Sequence, residues 1–199
     1  MEKVKDLEQF CRIVLSCVGT GYNSYRINKI PSKKAQNSLK LSHILNKVEN
    51  QYKSHLNKDA RYRNKKQGYA NYRAFYFMEN IYIFRTSGIQ IENQENGFKA
   101  HNDKINFKIS DSLDLDLFRD ERGKLTFKLG RTTYRAKKEK IKMAINNQDG
   151  KTFHTEIKKL GGFPRYRGIQ IQKRDLVFFI NRLQKNRRVK FTLPRYVWH

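Results

Sequence analysis

The sequence predicts an α+β protein: a mainly antiparallel β-sheet flanked by N-terminal and C-terminal helices. Three observations carry this. Apolar residues near the start recur at spacings of three and four. Short runs rich in aromatic and β-branched residues, separated by turn residues, fill the middle. The helical period then returns beyond residue 132. No internal repeat or Ser/Gly-rich spacer interrupts the chain, and it holds only three prolines, so residues 1–199 read as one basic domain with a helical subregion over 1–59.

Val4, Leu7, Phe10, Cys11, Val14, Leu15 and Val18 share one helical face, closed by Gly19 and Gly21. Tyr22–Ile30 alternates and reads as a strand ended by Pro31-Ser32. A second helix is expected over about Lys34–Leu56, with Leu41, Ile44, Leu45, Val48, Tyr52 and Leu56 inward. Arg61–Asn71 is polar, contains Gly68 and reads as a loop. Tyr72–Met78 and Ile81–Arg85 form a hairpin about a Met-Glu-Asn-Ile turn. Lys104–Ile109, Leu113–Phe118 and Lys124–Leu129 are further strands, the last two joined by a turn in which Gly123 takes φ > 0. Thr132 or Thr133 is expected to cap a helix reaching about Asn147. A short helix covers Thr152–Leu160, stopped by Gly161-Gly162. Arg-Gly-Ile-Gln-Ile-Gln (167–172) alternates like a strand, Arg174–Asn186 has helical spacing, and the last residues read as an edge strand.

Composition narrows the function. Lys and Arg number 43 against 18 Asp and Glu, a net charge of +25 that repels itself in a compact fold unless a polyanion neutralises part of it. Aromatic residues are 13% of the chain, which separates it from a disordered basic tail. Nucleic acid is the expected partner, RNA ahead of DNA, together with other proteins of the same complex. A membrane is not expected, because no dense Lys/Arg cluster adjoins a hydrophobic anchor. No signal peptide or lipidation motif is read, so a cytoplasmic location is expected, or a nuclear or organellar one in a eukaryote. Cys11 and Cys17 are six residues apart on one helix, point in different directions and read as buried thiols in a reducing compartment.

Charge is uneven along the chain. Residues 89–118 hold six acids (Glu92, Glu95, Asp103, Asp111, Asp114, Asp116) against three lysines. Residues 119–142 hold ten cations and three acids, and residues 158–195 hold twelve cations and one acid. Basic charge thus gathers in three blocks, the first at 61–73. Within these blocks Arg61, Arg63, Lys65, Lys66, Arg131, Arg135, Lys138, Lys142, Arg165, Arg167, Arg187 and Arg188 are the expected phosphate contacts. Arg131, Arg135, Lys138 and Lys142 fall at helical spacing and form one stripe. Tyr62 and Tyr166 stand between arginines and Tyr69 lies in the same basic block as Tyr62, all in loop-like sequence, which suits stacking on unpaired bases.

These features point to a non-catalytic RNA-binding protein, one component of a ribonucleoprotein or mobile-element machine, with no cofactor. Two alternatives stand beside it. In Leu113–Phe118, Asp114 and Asp116 share one strand face, and Glu121 and Lys124 follow. Such a set can hold Mg²⁺ for a metal-dependent nuclease. Nucleases of the restriction-endonuclease type set an Asp against E-x-K on the next strand, whereas Glu121–Lys124 is E-x-x-K with its Glu in the turn. The other alternative is a DNA-binding adaptor that recruits an enzyme through its acidic segment. His43, His55, His101, His154 and His199 match no zinc-binding spacing, and no nucleophilic triad motif is present.

Overall fold

The computed structural model describes residues 1–90, 97–102, 104–185, 187 and 190–194. It is α+β, with helices flanking mostly antiparallel sheets toward both ends of the chain. The span read as one domain gathers into two compact units, Met1–Asp103 and Lys104–His199.

The N-terminal unit is a five-stranded sheet between helices. Its strands are β1 (Glu2–Lys3), β2 (Tyr22–Lys29), β3 (Tyr72–Phe77), β4 (Asn80–Thr86) and β5 (Lys99–Ala100), in the order β1-β3-β4-β2-β5. All neighbours are antiparallel except β1 and β3. Helix α1 (Leu7–Gly19) starts at Asp6, whose carboxylate accepts from the Gln9 N–H at 2.8 Å. Its Phe10 sits among Phe75, Phe77 and Tyr82, with ring centroids 4.9–5.9 Å apart. The alternate residues of β3 and β4, Tyr72, Ala74, Ile81 and Ile83, pack with Leu41, Leu45 and Tyr52 of α3 (Ser38–Tyr52). Both sheet faces are therefore covered, which is why Ile81–Phe84 reads as an unbroken apolar run and Tyr72–Phe77 as one interrupted only by half-buried Arg73. The β3–β4 hairpin turns on Met78 and Glu79, both at positive φ, with Phe77 paired to Asn80. Cys11 and Cys17 are buried free thiols. Burial pushes the Cys17 thiol up to about 12, partly opposed by the nearby Arg73 guanidinium, and raises Cys11 as well.

Two expectations change in this unit. The helix expected over 34–56 is broken into α2 (Ser32–Ala35) and α3, because the Asn37 side chain accepts from the Lys40 N–H at 3.0 Å and starts a new helix. The loop expected over 61–71 begins instead as helix α4 (Lys58–Lys66). Asn57 caps it by accepting from the Ala60 N–H at 2.8 Å. Asp59 lies in its first turn and Arg63, Lys65 and Lys66 in its last, as the helix dipole favours. No residue of α4 is buried, so there is no apolar stripe to betray it in the sequence.

The C-terminal unit sets a three-stranded antiparallel sheet, β6 (Ile105–Ser110), β7 (Leu113–Arg119) and β8 (Leu125–Leu129), with helices α5 (Arg131–Asn146), α6 (Gly150–Gly161) and α7 (Arg167–Gln184). One sheet face buries Ile105, Phe107, Leu115, Leu117 and Phe127, while alternate positions stay wetter. Gly123 takes φ +72° in the β7–β8 turn, as expected. Residues 167–172 are not a strand but the first turns of α7. Its buried positions Ile169, Lys173, Leu176, Val177, Ile180 and Gln184 follow helical spacing, and Ile171 is exposed. Gln172 completes edge strand β8, accepting from the Leu129 N–H at 2.7 Å and donating to its carbonyl at 2.9 Å. Residues 187 and 190–194 of the edge strand expected over 187–199 are irregular, and 188, 189 and 195–199 lie outside the described residues. Among the described residues no helix is long and apolar enough to cross a membrane.

Candidate nucleic-acid interface

The N-terminal unit carries an open groove of about 900 Å³. One wall is a flank of α4, from which Lys58, Arg61, Tyr62 and Lys65 line it at spacings of three, one and three. The other wall comes from α1 and the ends of β2–β4, through Ser16, Thr20, Arg73, Thr86 and Ser87. Four cations thus face one concavity, and among the described residues no Asp or Glu lines it. Tyr62 is 68% exposed and Tyr69 46%, so two rings are open to solvent at the rim of a cationic surface.

The groove is built firmly. The Asn71 side chain donates to the Arg61 carbonyl at 2.9 Å and accepts from Asn64 at 3.3 Å, tying α4 to β3. Arg73 donates to the Ser16 hydroxyl at 3.2 Å, joining β3 to α1. Ala70 N–H donates to the Ile89 carbonyl at 2.9 Å, and Ile89 N–H to the Gly68 carbonyl at 2.7 Å. Gly88 makes this approach feasible: φ is +137°, and a Cβ there would lie 2.7 Å from the backbone of residues 68–70. Tyr69 is therefore held by its main chain while its ring faces outward.

The first basic block is thus largely assembled in one place. Arg61, Tyr62, Lys65 and Tyr69 share the groove, joined by Lys58 and Arg73, which the sequence alone does not assign to a site. Their signal is present in the seven-residue spacing from Lys58 to Lys65, visible only once the segment is treated as a helix. Arg63 lies on the opposite flank of α4, and exposed Lys66 near its end lines neither flank's groove.

The C-terminal unit treats its expected contacts differently. Arg131 and Arg135 are exposed on α5. Lys138 lies 4.4 Å over the Phe179 ring, and Lys142 is 3.8 Å from Glu139. Arg165 is exposed. Arg167 is paired with Asp120 at 3.3 Å and Glu121 at 2.9 Å. Tyr166 is half-buried, its ring edge-on to Phe127 with centroids 5.4 Å apart. Arg187 donates to the Ile145 carbonyl at 3.0 Å and to Asn146 at 2.6 Å, satisfying the end of α5. Arg188 lies outside the described residues.

The acidic set is not drawn together. Asp114 and Asp116 do share the wetter face of β7, as expected. Asp116 accepts from Asn106 at 2.6 Å. Asp114 accepts from the Thr133 N–H at 2.8 Å and from its hydroxyl, and its own N–H donates to that hydroxyl at 2.7 Å. Helix α5 begins at Gly130, which has no side chain to cap it, and Asp114 supplies the cap from the neighbouring strand. Thr132 and Thr133, the expected caps, lie inside the first turn instead. Glu121 lies beyond the far end of β7, about 20 Å from Asp114 along an extended chain, where it meets Arg167. Lys124 is exposed in that turn. Among the described residues no three His, Cys, Asp or Glu side chains are grouped to hold a metal ion.

Glu156 of α6 is a buried carboxylate between two cations, with Lys159 at 2.7 Å and Lys137 at 3.4 Å. Burial pushes its pKa up, but the two ammonium groups outweigh burial and hold it below the ordinary value. Comparison of the chain with protein-family models, with curated proteins and with solved structures returns no match.

Proposed function

We propose that this chain is a non-catalytic RNA-binding protein working as one component of a larger assembly, a ribonucleoprotein or mobile-element machine. The supporting observation is the groove of the N-terminal unit: four cations, two exposed tyrosines and, among the described residues, no lining carboxylate. Cations without carboxylate neighbours neutralise phosphates, and exposed rings stack on bases that are not already paired. RNA is favoured because its loops and bulges present such bases. Arg131 and Arg135 of the C-terminal unit supply a second, weaker phosphate contact.

Fluorescence anisotropy with a structured RNA, a single-stranded DNA and a duplex DNA tests this, across a salt series with and without Mg²⁺. Tightest binding to the RNA is expected. If six to ten phosphates are engaged, affinity falls by about 10³–10⁵ between 50 and 200 mM salt. Tyr62→Ala is expected to weaken RNA binding by about 1–3 kcal/mol, whereas Tyr166→Phe leaves it unchanged. All probes should run intact on a gel; cutting that requires Mg²⁺ would overturn the non-catalytic reading.

A further inference from the structure

Helix α4 has a groove on each side. The second, about 460 Å³, is lined by Lys53, Leu56, Ala60, Arg63, Asn64, Gln67, Tyr69 and Ala70. From α4 and its C-cap Gln67 come residues 60, 63, 64 and 67, and those of the larger groove are 58, 61, 62 and 65. Each set has the i, i+3, i+4, i+7 spacing of one helix flank, and an offset of two residues puts the sets about 200° apart at 3.6 residues per turn. Both grooves carry cations, and among the described residues neither is lined by a carboxylate. Tyr69, with its ring exposed and its backbone pinned, lines both.

Resting on the RNA-binding reading, we infer that α4 is a ridge around which one single polynucleotide strand passes. The strand lies in the larger groove against Arg61 and Lys65, crosses beside Tyr69, and continues into the smaller groove against Lys53 and Arg63. A base at the crossing stacks on Tyr69, and the Asn64 and Gln67 amides meet base edges beyond it. The ligand is a single strand on mechanical grounds. The grooves are separated by one helix, about 10–12 Å across, and a duplex with a persistence length of about 150 base pairs does not turn in that space.

The test is length dependence, measured on the full chain by anisotropy with RNA and DNA oligomers of about four and about twelve nucleotides. The short probe fills the larger groove, and only the long one reaches the smaller. Arg61→Gln/Lys65→Gln is expected to weaken both lengths at least tenfold. Lys53→Gln/Arg63→Gln is expected to weaken the long probe about tenfold and leave the short one unchanged. Tyr69→Ala, which removes a ring shared by both grooves, is expected to weaken both lengths and the long probe more, and Tyr69→Phe restores wild-type binding. Circular dichroism of each variant separates these outcomes from misfolding. A length step with RNA alone assigns the track to RNA, and a step with both assigns it to single strands in general; either supports the track. If short and long probes bind alike and Lys53→Gln/Arg63→Gln is silent, the track is wrong while the larger groove stands. If neither oligomer nor structured RNA binds, the RNA-binding reading itself fails.

Discussion

Helices α4 and α5 look alike as sequence and differ as surfaces. Helix α4 carries five Lys or Arg and one acid; α5 carries six and one. Charge content alone does not separate them. Around α5, acids from elsewhere in its unit and from α5 itself reach the cations: Glu156 from α6 meets Lys137, and Glu139 meets Lys142. The larger groove of α4 has no acid in its walls, and Lys58, Arg61 and Lys65 face it without a carboxylate partner among the described residues. A basic surface is identified by where the acids are, not by how many bases there are. The cost of holding like charges at i, i+3 and i+4 falls on α4, and a bound polyanion relieves it.

Two variants that remove equal charge put this contrast to its strongest test. Arg61→Gln/Lys65→Gln and Arg167→Gln/Lys142→Gln each remove two of the +25 net charges. The first is expected to cost about 3 kcal/mol of RNA binding, roughly a hundredfold, at about 1.5 kcal/mol per charge-assisted hydrogen bond. It should also lower the salt slope by about 0.7 for each phosphate that is no longer neutralised. The second removes cations already paired with carboxylates and is expected to leave affinity within about threefold. Equal losses from both, in anisotropy titrations at fixed salt, would mean that total charge sets affinity and that the groove has no special standing.

A smaller effect concerns stability. Glu156→Gln leaves Lys137, whose side chain is only 13% exposed, without its carboxylate. Breaking a buried pair from one side costs about 3–5 kcal/mol, and because Lys159 is half in water the expected loss is about 2 kcal/mol in urea unfolding. The pH dependence follows from the direction of the shift. The folded carboxyl holds its pKa below the ordinary value of about 4.3, so the unfolded chain binds more protons in that range. The contribution is fully present above the ordinary value and is lost as pH falls through the folded one. The stability gap between wild type and Glu156→Gln should therefore be constant near neutrality and close in acid. A gap independent of pH would show that the variant acts through packing rather than charge.

Much of the fold was legible because burial imposes a period. Helix α1, the β3–β4 hairpin, the β6–β8 meander and α5 all fall where apolar spacing placed them. Helix α4 and the start of α7 escape that pattern for opposite reasons. Helix α4 buries nothing, so its only marks are Asn57, Asp59 and the cations of its last turn, which are capping and dipole signals. The start of α7 shows a false period of two because Ile171 is exposed while Ile169 is buried. The candidate site was half legible. The composition of 60–77 pointed to a basic aromatic surface, but reading it as loop hid the helical spacing that sorts Lys58, Arg61 and Lys65 from Arg63. The roles of Arg187 and Asp114 depend on partners more than 15 residues away, which no local pattern shows.

Asp114 offers the finest test, because it separates a structural acid from a metal-binding one on the same strand. As a cap supplied from β7, its carboxylate satisfies an N–H in the first turn of α5, and Asp114→Ala is expected to cost about 1 kcal/mol in urea unfolding. Asp114→Asn keeps an acceptor oxygen and should cost less. Gly130 belongs to the same device: a Cβ there would collide with the Asp114 carboxylate, so Gly130→Ala must push the cap aside. The two changes disable one interaction, and the double variant Asp114→Ala/Gly130→Ala should lose clearly less than the sum of the singles. Additive losses would mean that the carboxylate does not cap α5. Mg²⁺-dependent stabilisation of the wild type that disappears in Asp114→Asn would instead assign this carboxylate to a metal, and would set the C-terminal unit apart as the chemical half of the molecule.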